Sequence, residues 1–194
     1  MIDKLIQYDS ELLIFLNNLG SPTWDSFWLI VTDELTFAPL YLLLLILIYR
    51  KLGLKVLLFS IVMIALMITF TDQVTNLFKD GFQRPRPCRT EGVMEHIRFI
   101  AERCGKYGFF SGHSSNSMAG AVFGGLLLRP YFKNLIFILL FWSFIVGYSR
   151  IYVGVHFPLD IISGFTFGAL SGFGFYKLFG FIVNKYLPSE IQNE

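Results

Sequence analysis

The sequence predicts an all-α fold, a polytopic transmembrane helix bundle with five firm spans and an N-terminal helical element that is either a sixth crossing or lies in the interface. Three observations predict it. Hydrophobic residues make up 54% of the 194 residues and charged residues only 15%, with a mean hydropathy of +0.58, a balance a soluble domain rarely has. The apolar residues come in runs close to the ~20 helical residues that cross ~30 Å of hydrocarbon. Lys and Arg gather in the short connections between those runs, where the bias toward cytoplasmic positive charge places them. The formal charge of +2 is too small to indicate a nucleic-acid partner.

Taken in order, residues 1–34 are the least regular, because Asp9, Glu11, Asp25, Asp33 and Glu34 interrupt the apolar pattern. "LGSPTWD" reads as a turn followed by a helix start, which predicts helices over about 3–18 and 22–33. The N-terminus lacks a basic region followed by an apolar run and a small-residue cleavage site, so no cleavable signal peptide is expected. Spans follow at 35–50, 54–78, 113–129, 131–148 and 158–183. Arg50, Lys51 and Lys55 in the first connection, Arg129 and Lys133 in another, and Lys185 in the tail assign those three regions to the cytoplasm. The loop 79–112 and the segment 149–157 then share the opposite, extracytoplasmic side, and residues 1–194 read as one membrane-embedded domain.

That outer loop breaks the charge rule. From Lys79 to Lys106 it carries Lys79, Arg84, Arg86, Arg89, Arg98, Arg103 and Lys106 against Asp80, Glu91, Glu95 and Glu102. A net-positive outer loop suits an anionic ligand, or lipid headgroups around a solvated loop. Spacing separates these readings: Lys79, six residues, then Arg86-Pro87; later Ser111-Gly112-His113; later Ser149-Arg150, five residues, His156, three residues, Asp160. The pattern resembles the type 2 phosphatidic acid phosphatase superfamily of integral membrane lipid phosphatases, whose signature is K-x6-R-P, P-S-G-H and S-R-x5-H-x3-D. One position departs, with Phe110 where the family usually has Pro.

The residue chemistry stands beside the resemblance. A phosphoryl group in transfer spreads negative charge over its oxygens, so Lys79, Arg86 and Arg150 are the candidate phosphate clamp, with the Ser111 hydroxyl and the open backbone N–H of Gly112. A helix starting in "SGHSSNS", with Ser114 or Ser115 a plausible cap, would add a positive helix end. The resemblance implies that His156 attacks phosphorus and that His113 protonates the leaving oxygen and then activates water. Pro158 places Asp160 in the first turn of the last helix, where its carboxylate can orient the His156 ring. His96 is read as an ordinary loop residue.

The resulting expectation is a metal-independent phosphatase with no cofactor and no obligate protein partner, acting on a lipid phosphate or diphosphate at the outer face of a bacterial inner membrane. Undecaprenyl diphosphate ranks first, with lipid A 1-phosphate, phosphatidylglycerol phosphate and phosphatidic acid behind it. A non-catalytic lipid-phosphate binding or transport protein is the reading from another class. Two further features are noted. Asp72, Asn76 and Lys79 share a helix face, read as interhelical hydrogen bonding, and Gly164, Gly168 and Gly172 repeat every four residues, read as a packing face inside the monomer. Cys88 and Cys104, the two cysteines, fall in the outer loop, and whether they pair stays open.

Overall fold

The computed structural model describes residues 2–186, which form six helices: α1 (Ile2–Asn18), α2 (Pro22–Thr32), α3 (Ala38–Phe82), α4 (Gly112–Leu128), α5 (Leu135–Tyr152) and α6 (Pro158–Tyr186). Helix α3 is two helices joined at Gly53, whose φ of 79° and ψ of 174° suit glycine and break the helical path. Glu34, just before α3, and Lys79, near its end, both lie beside the start of α4, so the arms 38–52 and 54–82 run antiparallel. Three stretches, Glu34–Phe82, Leu135–Tyr152 and Pro158–Tyr186, are long and apolar enough to cross a membrane. Large apolar side chains such as Leu58, Leu66, Phe137, Phe141, Leu170 and Phe181 point outward along them, as lipid-facing residues do.

Helix α4 is the axis of the bundle. Its small residues let neighbours approach on nearly every side, and Ser114, Ser115, Ala119, Ala121 and Phe123 are all buried. Gly164 and Gly172 of α6 lie directly against it: a Cβ at Gly164 would sit 2.7 Å from the Ser111 carbonyl oxygen, and one at Gly172 would sit 2.5 Å from that of Ala119. The four-residue glycine repeat is therefore a packing face inside the monomer, as its spacing predicts. Asp72 accepts from the Asn116 amide of α4 at 2.8 Å, the interhelical bond expected of that face, and Thr71 bonds the same Asn116 at 2.6 Å.

The N-terminal helices lie across the end of the bundle. Asp9 of α1 accepts from the Leu159 N–H at the start of α6, while Asn17, two turns further along α1, bonds the Ile151 and Tyr152 carbonyls at the end of α5. Both α1 contacts are thus at one end of the bundle, and α2 joins them there, with Trp28 stacked on Tyr152 and Thr32 bonded to Ser149. Residues 2–34 thus pack across one end of the bundle, against the ends of α5 and α6. Leu5, Tyr8, Leu12 and Phe15 of α1 and Trp24, Phe27 and Ile30 of α2 remain exposed, the composition of helices seated in a bilayer surface.

Two boundaries differ from expectation. The fourth predicted span, 131–148, is shifted: α5 begins at Leu135 and continues to Tyr152, so Ser149 and Arg150 belong to its last turns rather than to a connecting segment. The chain departs only at Gly154, whose φ of 80° is left-handed, and no breaker precedes it. The span predicted to end at 78 likewise runs on: α3, with Lys79 on it as the shared helix face requires, persists to Phe82 and ends on Gln83 in the left-handed conformation. At the other end of the bundle the basic connections meet, with the Lys51 ammonium 5.6 Å from the centre of the Tyr131 ring.

Candidate active site

The end of α3, the start of α4, the end of α5 and the start of α6 meet at one end of the bundle and bring the predicted residues together. Ser111 is the N-cap of α4, accepting from the Ser114 N–H at 3.4 Å, so the cap is Ser111 rather than Ser114 or Ser115. Its own N–H donates to the Asp160 carbonyl at 3.0 Å, which ties the second motif to the third. Gly112 is the first residue of α4, and a Cβ there would sit 3.9 Å from the Lys79 ammonium. Phe110, in place of the usual Pro, is buried and packs its ring 5.2 Å from those of Phe78 and Phe167. The turn into α4 is thus held by aromatic packing between α3 and α6.

Arg86 donates through Nε to the Tyr107 carbonyl at 3.1 Å, leaving its terminal nitrogens for the site. Arg150 is oriented by the Thr32 hydroxyl and carbonyl, a support from α2 that sequence reasoning missed. The charges of Lys79, Arg86 and Arg150 all act on both His113 and His156. His113 Nε2 lies 3.2 Å from a Glu34 carboxylate oxygen. His156 is 1% exposed, with Nδ1 3.3 Å from Asp160 Oδ2. Burial, reinforced by Arg86, Arg150 and Lys79, holds the His156 imidazole well below its ordinary value of 6.5, so it is neutral at physiological pH. A neutral imidazole whose Nδ1 faces a carboxylate can present Nε2 as a nucleophile.

Asp160 is the third residue of α6 and also accepts from the Phe157 N–H at 3.0 Å, the reach-back of a capping box. Its other oxygen takes Arg84 at 2.9 Å, and Arg84 bridges onward to Asp9 at 2.6 Å. Neither Arg84 nor Asp9 was singled out as a site residue from sequence. The available signal was Asp9, one of several polar residues that interrupt the apolar pattern of the N-terminal helix. The loop between α3 and α4 is held by a Cys88–Cys104 disulfide, with the Cα atoms 6.3 Å apart, and His96 stands apart in a short turn of that loop.

An apolar cavity of about 420 Å³ opens beside His113 and runs between both arms of α3, α4 and α5. Glu34, His113 and Asn116 are polar members of its lining, and Leu44, Met67, Phe123 and Leu139 are apolar ones. The arrangement therefore joins an anion clamp and two histidines to a slot suited to a hydrocarbon chain.

A profile of the PAP2 superfamily matches residues 55–183. The chain belongs to this superfamily. A lipid A 4'-phosphatase of Bacteroides thetaiotaomicron is 34% identical over 197 aligned positions, covering all of this chain and 84% of that one. Among solved PAP2-like structures, that of Aquifex aeolicus LpxE superposes with a TM-score of 0.67 at 25% identity, covering 86% of this chain and 93% of that one. A transmembrane PAP2-type phosphatidylglycerolphosphate phosphatase from Bacillus subtilis shares the fold, with a TM-score of 0.71 at 19% identity over 94% of this chain and 88% of that one. This PAP2 protein is an integral membrane phosphatase of helical fold, and its substrate is a lipid phosphate.

Proposed function

We propose that the chain removes a phosphate from lipid A at the outer face of the inner membrane, through a phosphohistidine on His156. The observation that carries the reading is the cavity at His113: phosphate held by the cations would direct its leaving group toward an apolar slot beside the general acid. The full-length likeness to a lipid A 4'-phosphatase supports lipid A over undecaprenyl diphosphate, which ranked first from sequence and has no comparable support. The 4'-phosphate is accordingly the preferred leaving site. Net-basic turns at the end opposite the site support the orientation.

In this mechanism Lys79, Arg86 and Arg150 neutralise the phosphate oxygens, helped by the Ser111 hydroxyl and the Gly112 N–H. His156 Nε2 forms a bond to phosphorus as the bond to the sugar oxygen breaks, and His113, protonated beside Glu34 once the bound phosphate offsets the three cations, gives its proton to that oxygen. His113 then takes a proton from water, which attacks phosphorus, breaks the P–N bond and releases inorganic phosphate. The three cations do the charge neutralisation a divalent metal performs elsewhere, so activity is expected to persist in EDTA.

The test is phosphate release in detergent and EDTA from bis-phosphorylated lipid A, undecaprenyl diphosphate and phosphatidylglycerol phosphate, with His156→Ala as control and mass fragmentation of the lipid A product. Loss of the 4'-phosphate, absent in the variant, is the expected result. Preference for undecaprenyl diphosphate would overturn the substrate, and activity surviving in His156→Ala would overturn the nucleophile.

A further inference from the structure

The groups that face the phosphate leave one charged cluster without a role, on the far side of Asp160. Arg84 donates from Nη1 to Asp160 Oδ1 at 2.9 Å and from Nη2 to Asp9 Oδ2 at 2.6 Å. The remaining Asp9 oxygen accepts from the Leu159 N–H at 2.8 Å, so one carboxylate grips both Arg84 and the helix turn that carries Asp160. The Arg84 guanidinium carbon lies 4.0 Å from the centre of the Phe157 ring, next in sequence to His156. Asp9 and Asp160 are 4% and 0% exposed.

Burying two carboxylates around one cation is costly unless the geometry repays it. Fastening α1 to the bundle does not require such a cluster, because the fully buried Asn17 does that work through bonds to Arg98, Ile151 and Tyr152. What the cluster does is fix Asp160. With Oδ1 on Arg84 and Oδ2 shared by the Phe157 N–H and His156 Nδ1, the carboxylate is held against rotation from both sides. Gly108 closes the remaining side, since a Cβ there would lie 3.0 Å from Asp160 Oδ2. A fixed Asp160 oxygen that accepts from Nδ1 holds the proton of His156 there and leaves Nε2 bare.

We infer that Arg84 and Asp9 are positioning residues for the nucleophile: they lock Asp160, which sets the tautomer and orientation of His156, and they make the N-terminal helix α1 part of the catalytic apparatus. This rests on His156 being the nucleophile. Arg84 commits its terminal nitrogens to the two carboxylates rather than to substrate, so its removal alters turnover and spares binding.

The experiment compares the purified full chain with Arg84→Met, Arg84→Lys and Asp9→Asn, using two readouts. Phosphate release from bis-phosphorylated lipid A gives kcat and KM. Ring ¹⁵N spectra of histidine-labelled protein report the tautomer; the chain has three histidines, so His156 is assigned with His156→Gln. Arg84→Met is expected to lower kcat by roughly a hundredfold or more with KM within about threefold, and to turn the single His156 tautomer into a mixture. Arg84→Lys keeps the charge and recovers about tenfold, restoring much of the native ring spectrum. Asp9→Asn, nearly isosteric, lies between and carries the test if Arg84→Met does not fold. A kcat within twofold of native in both the Met and Asn variants, a raised KM at unchanged kcat, or an unaltered His156 ring spectrum overturns the inference. If the native protein releases phosphate from none of the lipids, the substrate reading fails, and the ring spectra still decide the inference.

Discussion

The α4–α6 contact and the α1–α2 collar are held by opposite means. Between α4 and α6 the backbones touch, with Gly164 and Gly172 against the carbonyls of Ser111 and Ala119, and the fit is one of shape. The collar touches the bundle through a few buried polar groups, Asn17, Asp9 and Tyr152, set among side chains that face outward. A shape-held contact fails when anything is added, whereas a polar-held contact fails when a partner is removed. The site sits where the two meet, with Ser111 and Asp160 on the first and Arg84 on the second.

The largest expected effect comes from adding bulk to the shape-held contact. Gly172→Val places carbon where the Ala119 carbonyl stands, and neither backbone can yield cheaply, so a loss of about 4 kcal/mol or more is expected, read as a collapse of the thermal midpoint in detergent. Gly180, with open space around it, is the control, and Gly180→Ala should be neutral or slightly stabilising. Equal losses in both variants would show that the glycine repeat is not what matters.

Removing a partner from the collar comes next. Asn17→Leu leaves the Arg98 N–H and three carbonyl bonds without their partner, for a loss of about 3 kcal/mol. Hydrogen exchange should rise in residues 2–33 and in the neighbouring loop between α3 and α4 while α4 and α6 stay protected. Uniform loss of protection would mean that collar and bundle form one cooperative unit.

This contrast also explains what could be read from the sequence. The glycine repeat was legible because it is local: a four-residue period on one helix states its own purpose. Lys79, Arg86, His113, Arg150, His156 and Asp160 were legible because their spacings match a known signature, and the bundle places them at one end. Asn17 and the Asp9–Arg84 pair were not, because each meets partners about 75 or more residues away, and no local pattern records such a meeting. The end of α5 was misplaced for a related reason. Ser149 and Arg150 look like loop residues by polarity, but the backbone stays helical until Gly154 allows a left-handed turn. The packing of α1 across one end of the bundle rests on where Asp9 and Asn17 find partners, which hydropathy cannot report.

The disulfide sharpens the comparison, since it constrains the loop that leads from α3 to the site. Cys88 and Cys104 close a 16-residue separation, for which chain entropy gives up to about 3 kcal/mol. Reductant should lower the thermal midpoint of the native protein toward that of a Cys88→Ser, Cys104→Ser variant and leave the variant unmoved. If reductant moves neither midpoint, the loop is held instead by contacts such as that of Arg89 with the Cys104 carbonyl.

The smallest effect is a dependence on pH carried by His156. Its folded-state value lies well below the ordinary 6.5, chiefly through burial and then through Arg86, Arg150 and Lys79, while the unfolded chain takes up the proton near the ordinary value. Between those limits the unfolded state binds more protons, so stability rises with pH there. The contribution of the neutral, buried ring is complete above pH 6.5 and is lost as pH falls from there toward the folded-state value. The denaturation midpoint of the native protein is therefore expected to fall more steeply on acidification below that point than that of His156→Gln, which has no proton to take up. Parallel slopes in the two proteins would mean that the imidazole is not desolvated in the folded state. In that case the neutral nucleophile assigned to His156 would lose its physical basis, whatever the lipid.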